Sequence, residues 1–144
     1  MGGGKPLFKV AIIGGGPRGL WAAEELLALA RERGASIDLH VFNDGLGVAY
    51  QPDQPEEWLI NVRSSTITTQ FSDFSQWLRK RNVDSSFPPR RVVGEFLEES
   101  WDALLEYVPQ GCSLTMHTKH VDTVKPCGKK SERWLVQEQE FDEI

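Results

Sequence analysis

The chain has 144 residues, 40% of them hydrophobic and 26% charged, which is the make-up of one ordinary globular domain with a core of its own. A formal charge of −5 gives no general attraction to nucleic acid or to an anionic membrane, and no basic stripe interleaved with aromatics is present. No charged segment followed by a long apolar stretch opens the chain, and no apolar run is long enough to span a bilayer, so a cytoplasmic protein is expected. Two cysteines, Cys112 and Cys127, have neither C-x-x-C nor metal-site spacing. A disulfide between them is open on paper, and the default is two reduced thiols.

Residues 1–6 are read as a frayed lead-in, and 7–144 as one domain. Leu7 to Ile13 is an apolar run expected to form a strand covered on both faces. Gly14, Gly15 and Gly16 follow, then Pro17, Arg18 and Gly19, so that Gly14, Gly16 and Gly19 fall on G-x-G-x-x-G spacing. The chemistry explains the spacing. The first glycine permits a tight turn, the second lets backbone approach a pyrophosphate, and the third lets helix and strand pack closely. Free N–H groups and the dipole at a helix start favour phosphate. Proline is tolerated in a first helical turn because its missing N–H is not needed there.

Pro17 to Arg33 has helical spacing of Leu20, Ala23, Leu27 and Ala30, with Gly34 as the stop. Ser36 to Asn43 reads as a second strand, completing strand–helix–strand. Asn43 then stands where a dinucleotide site usually has an acid to accept from a ribose diol. Either Asn43 or Asp44 takes that role, or Asn43-Asp44-Gly45 is simply a turn. Residues 45–70 have little periodicity but keep aromatic and apolar content. They are expected to be an ordered excursion over the ligand end of the sheet, with a passive surface crossover as the alternative.

Ser72 to Arg81 is a short helix capped by Ser72 or Asp73, and Arg90 to Val108 a longer one with a stripe of Val93, Leu97, Trp101, Leu104 and Val108. That stripe is expected to be core rather than a cofactor face. Cys112 to Val124 and Arg133 to Gln139 read as strands around a turn at Pro126 to Lys130, and Phe141 and Ile144 begin one more. The expectation is a small antiparallel hairpin or meander after a parallel βαβ unit. His117 and His120 would point to opposite faces of one strand and so not share a metal. No G-x-S-x-G turn, no Lys-Ser/Thr ending of a P-loop and no paired dithiol is found.

The run V-A-I-I-G-G-G-P-R-G-L, then H-V-F-N-D, then G-V-A-Y at Gly47 to Tyr50 and L-I-N-V at Leu59 to Val62, resembles the FAD/NAD(P)-binding family of flavoprotein oxidoreductases. More narrowly it is similar to a bacterial branch with a G-P-R-G turn. The resemblance implies a Rossmann-like α/β fold with a helical crossover and a small antiparallel meander. It implies FAD as cofactor, with NAD(P)H as the reductant of the full-length protein. Gly14, Gly16, Pro17, Arg18 and Gly19 would hold the pyrophosphate, and Asn43 would stand at the ribose. Tyr50, Asn61 and Val62 would lie in the excursion near the flavin.

In the family a further strand and an A-T-G turn follow the meander, so the chain reads as the amino-terminal piece of a larger flavoprotein, inactive alone. Its meander edge would then be open to pairing with a second chain. The other readings are a non-catalytic Rossmann-like interaction module and an NAD(P)-only module in which Arg18 meets a 2′-phosphate. No catalytic acid or base is named.

Overall fold

A computed structural model describes residues 7–45, 48–69 and 71–144. The lead-in at 1–6 and Gly47 of the G-V-A-Y segment lie outside the described residues. The fold is mixed α/β: a parallel three-stranded sheet, a layer of helices on one face and a small antiparallel sheet on the other.

Strand β1 (Phe8–Ile13), helix α1 (Pro17–Arg33) and strand β2 (Ile37–Phe42) form the expected unit. β1 and β2 are parallel, in register from Phe8 opposite Ile37 to Ile13 opposite Phe42. Alternation assigns the faces. Val10, Leu39 and Val41 turn to the helices, while Ala11 and Phe42 turn to the small sheet. α1 has no side-chain cap at its start. It is held instead by burial of Leu20, Ala23 and Leu27, each fully enclosed. About 2 kcal/mol per buried leucine outweighs the ~1 kcal/mol that a capping side chain would contribute. Gly34, at φ 60°, ends the helix, and the Ala35 amide returns to the Ala30 oxygen at 2.8 Å.

The described residues between 45 and 69 are irregular structure rather than long elements. They contain short 3-10 turns at Val48–Tyr50 and Ser64–Thr66, a bridge from Leu59 to Pro89 and another from Thr68 to Asp73. Helix α2 (Phe74–Lys80) is capped by Asp73, whose carboxylate accepts from the Gln76 amide at 2.9 Å. Helix α3 (Arg90–Tyr107) buries Val93, Phe96, Leu97, Trp101 and Leu104 in the main core, together with Phe74, Trp77 and Leu78 of α2.

The segment expected as one long strand over 112–124 divides in two. Strand β3 (Ser113–His117) pairs with β2, and it pairs parallel, as the third strand of the main sheet in the order β1-β2-β3. The expectation had placed it in the antiparallel unit. Leu114 and Met116 pack against the helix-side core, while Thr115 on the opposite face is exposed, so β3 is an edge strand buried mainly on one face.

Residues 124–126 then form β4, the first strand of the antiparallel sheet. The strand expected over 133–139 is likewise two: β5 (Trp134–Val136) and β6 (Gln139–Phe141), joined through Gln137 and Glu138. Both joining residues have positive φ, 44° and 70°, as the right-handed twist of a two-residue hairpin demands. Val136 and Phe141 are fully buried and press this sheet onto Ala11 and Phe42. Beyond β6 the chain returns to β1. The Asp142 amide donates to the Lys9 oxygen at 2.7 Å, the Ala11 amide to the Glu143 oxygen at 3.0 Å, and Glu143 bridges Val10 in parallel sense.

Candidate functional site

The site is built at the carboxyl ends of the parallel strands, where the chain leaves β1 for α1. The Gly14 amide donates to the Phe42 oxygen at 2.8 Å, tying the start of the turn to the end of β2. Gly14 has φ 111°, a conformation side chains avoid. Gly19 is required by space: a Cβ there would stand 2.0 Å from the Gly14 oxygen. A Cβ on Gly15 would meet the Asn43 carboxamide at 2.1 Å. The spacing read from the sequence therefore has a steric cause at its first and last positions, and Gly15 adds a further one.

Trp101 fastens the turn from the opposite side. Its indole N–H donates to the Gly15 oxygen at 2.9 Å across a buried contact. The stripe on α3 is core, as expected, yet one of its members also shapes the glycine turn. The signal was a tryptophan in a buried stripe, since its N–H needs an acceptor when water is excluded.

With Gly15 held in this way, the amides of Gly15, Gly16, Arg18 and Gly19 have no protein acceptor among the described residues. The first intrahelical bond of the turn is Leu20 to the Gly16 oxygen, at 3.0 Å. Four unclaimed N–H groups at a helix start make an anion cradle. Gly16, Arg18 and Gly19 among them line a cleft of about 540 Å³, walled also by Gly14, Pro17, Trp21 and Tyr50. Arg18 is exposed and has no ion-pair partner among the described residues, so its charge adds to the dipole there.

A second cleft, about 480 Å³, lies beyond the end of β2. Asn43, Asp44 and Gly45 form one side, Glu98, Trp101 and Asp102 of α3 another, with Met116 and Thr118 at the end of β3. Asn43 closes the expected turn and also borders this cleft. It makes a turn, because its Oδ1 accepts from the Gly45 amide at 2.9 Å. It also stands beside Gly15 at the mouth of this cleft. Asp44 contacts His120, with Oδ2 2.8 Å from Nδ1. A third hollow, about 450 Å³, lies at the other end of α1 beside Arg31, Gly34 and Tyr107, remote from the glycine turn.

Tyr50 is thus brought to the glycine cleft. Asn61 and Val62 are exposed and line neither of the first two clefts. They sit in the stretch whose amides at Ile60 and Ser64 donate to the Pro88 and Ser86 oxygens. The expectation that His117 and His120 share one strand is corrected: β3 ends at His117 and His120 lies in the following loop. No group of three metal-ligating side chains occurs among the described residues, and no helix there is long and apolar enough to cross a membrane. Cys112 and Cys127 are both free thiols.

Sequence reading passed over a second feature, on the small-sheet face. His40 Nδ1 and His117 Nε2 are 2.7 Å apart, His40 Nε2 is 3.1 Å from Asp38 Oδ1, and the Ser113 hydroxyl donates to that oxygen at 2.5 Å. Burial would push the Asp38 carboxyl up, but the hydrogen bonds from Ser113 and His40 win and hold it below the ordinary carboxylate range.

The open hollow lined by backbone amides at a helix start is of the kind that receives a phosphate group. A family model described as FAD-NAD(P)-binding matches residues 11–143. Uncharacterized protein YdhS of Escherichia coli (strain K12) is 24% identical over 117 residues, which is 71% of this chain and 22% of YdhS. The chain therefore spans well under two thirds of that relative. With a family match running from the middle of β1 to the bridge at Glu143, and a glycine turn of the required geometry, this chain belongs to the FAD-NAD(P)-binding family.

Proposed function

We propose that the chain is the cofactor-binding part of a larger flavoprotein oxidoreductase that uses NAD(P)H, with residues 7–144 forming one binding unit. FAD is the cofactor, and its pyrophosphate lies on the amides of Gly15, Gly16, Arg18 and Gly19. The observation that carries this reading is that Gly16, Arg18 and Gly19, whose N–H groups have no protein acceptor among the described residues, line an open hollow. Any helix start leaves such N–H groups free, and what supports a ligand here is that they stand beside an open hollow with the exposed Arg18 at its wall.

Each residue has a definable task. Arg18 offsets phosphate charge. Asn43 and Asp44 border the adenosine ribose, while Tyr50 and Trp21 wall the far side of the pyrophosphate. Asn61 and Val62 belong to the excursion and would meet the flavin only through a further part of the complete protein. When bound, the flavin supplies the hydride and electron transfer, and the protein positions it.

A second reading, an interaction module without cofactor, is favoured by Asn43 alone. It carries no charge, and its side-chain oxygen is already engaged by the Gly45 amide. Calorimetric titration of the chain with FAD, NAD and NADP separates the readings, and the absorption spectrum of protein from a flavin-replete host adds a direct test. FAD binding with a 1:1 endpoint supports the flavoprotein reading. Nicotinamide binding without flavin favours an NAD(P) module, and no binding by any of the three leaves the interaction module standing.

A further inference from the structure

The pair formed by His40 and His117 lines neither cleft, yet its strands are tied by backbone hydrogen bonds to the glycine turn and to Asn43. The His117 ring stacks on Phe42 at 4.5 Å and 9°, and on His40 at 5.0 Å. Phe141 of the small sheet meets the His40 ring edge-on at 5.3 Å. The backbone on either side leads to the glycine turn: the Asn43 amide donates to the His117 oxygen, and the Phe42 oxygen accepts from Gly14, both at 2.8 Å.

We propose that His40 and His117 form a proton-linked latch, which holds β2, β3 and the small antiparallel sheet together and opens when the pair takes its second added proton. The geometry supplies the reason. Two ring nitrogens 2.7 Å apart need one hydrogen between them. With His40 Nε2–H directed to Asp38, the network assigns a lone pair to His40 Nδ1 and the shared hydrogen to His117 Nε2. One added proton leaves this bond intact, because His117 still donates. A second sets N–H against N–H, and the contact must break.

The surroundings act in the same direction. Burial first, then His40, Lys119 and Lys9, push the His117 imidazole below the ordinary histidine range. Lys9 of β1 lies 4.9 Å from the Phe141 ring centre. The opposing charges are Asp38 on β2 and, across the small sheet, Asp142 and Glu140, which are both engaged by Arg133. His120 and Asp44 close the loop end. The α1 and α3 side of the sheet presents only apolar side chains to it from β2 and β3, at Leu39, Val41, Leu114 and Met116.

The sign follows from linkage. A histidine whose folded form resists protonation gives full stability above about pH 6.5 and loses it as pH falls, because the unfolded chain binds more protons. One proton fewer in the folded state changes the folded-to-unfolded ratio about tenfold per pH unit.

The test is urea unfolding of the chain between pH 7.5 and 5 beside His117→Gln, with nitrogen-15 NMR of the imidazoles in the unsubstituted protein. Glutamine keeps a hydrogen bond to His40 and, by turning its amide, tolerates a proton there. The expected result is a fall in stability relative to the variant as pH drops below about 6.5, with about tenfold per pH unit as its upper limit. Amide signals of β3 and the small sheet should weaken together with it. Parallel profiles for the two proteins, or two imidazoles taking protons independently with the sheet signals unchanged, would overturn the latch. If His117→Gln does not fold, the imidazole spectra decide alone.

A consequence for the cofactor rests on the dinucleotide reading. FAD affinity should drop between pH 7.5 and pH 5 as the latch opens, and unchanged affinity across that opening overturns the coupling. Failure of FAD to bind at any pH counts against the proposed function and leaves the unfolding and NMR results to judge the latch.

Discussion

Trp101 Nε1 donates to the Gly15 carbonyl oxygen at 2.9 Å, so a residue on α3 holds the backbone of a turn 86 positions earlier in the chain. Without that bond the buried Gly15 oxygen loses its partner. Trp101→Phe keeps most of the apolar contact and removes the donor. An unsatisfied buried carbonyl costs about 1–3 kcal/mol, and urea unfolding is expected to show a loss in that range. Dinucleotide affinity should fall as well, because the turn would no longer be fixed. A variant with native stability and native affinity would show that the bond is incidental.

Gly19 and Gly34 give a matched pair at the two ends of α1. In Gly19→Ala the new methyl meets the Gly14 oxygen, a backbone atom that cannot move aside without deforming the turn. Overpacking of this kind costs about 1–3 kcal/mol, and it falls on the anion cradle. Gly34→Ala has open space but a positive φ, which costs about 1 kcal/mol. Both should lower the melting temperature, and only Gly19→Ala should abolish binding of a dinucleotide. Equal effects on binding would place the ligand elsewhere.

Asn43→Asp restores the acid that dinucleotide sites usually carry at this position. The substitution keeps an acceptor for the Gly45 amide, so the turn should persist with stability within about 0.5 kcal/mol. If the ribose lies here, a charged acceptor should strengthen binding of FAD or ADP several-fold in calorimetry. A weaker complex would argue that Asn43 serves the turn and packs on Gly15 without touching ligand.

Asp38 sets the acid limb of stability. Its carboxyl is held below the ordinary value despite burial, so the folded state favours the ionised form. That contribution is present above the unfolded carboxyl value, near pH 4, and is lost as pH falls through the depressed folded value. Ser113→Ala removes one of the two hydrogen bonds responsible. The variant should be less stable at pH 6 and should converge on the parent as pH falls and Asp38 takes up its proton in both, as read by denaturant unfolding. A constant offset at every pH would mean that Ser113 acts by packing alone.

The strand–helix–strand start was legible because its causes are local. Leu20, Ala23 and Leu27 recur at helical spacing, Gly34 stops the helix, and glycine at 14 and 19 is imposed by a turn only a few residues long. The Asp73 cap and the buried stripe of α3 were legible for the same reason. Alternating Leu114 and Met116 marked a strand, but not its neighbour or direction.

What only the tertiary structure decided was partnership. β3 lies parallel to β2 rather than antiparallel to the strand expected over 133–139, and a hairpin at Gln137–Glu138 divides what looked like one strand. Trp101 finds its acceptor on Gly15, and His40 faces His117 across two strands that are 77 residues apart in the chain. Residue periodicity reports which face of an element is buried. Choice of partner depends on closing loops between distant residues against the energy of a shared core, and no window of the sequence contains both sides of that balance.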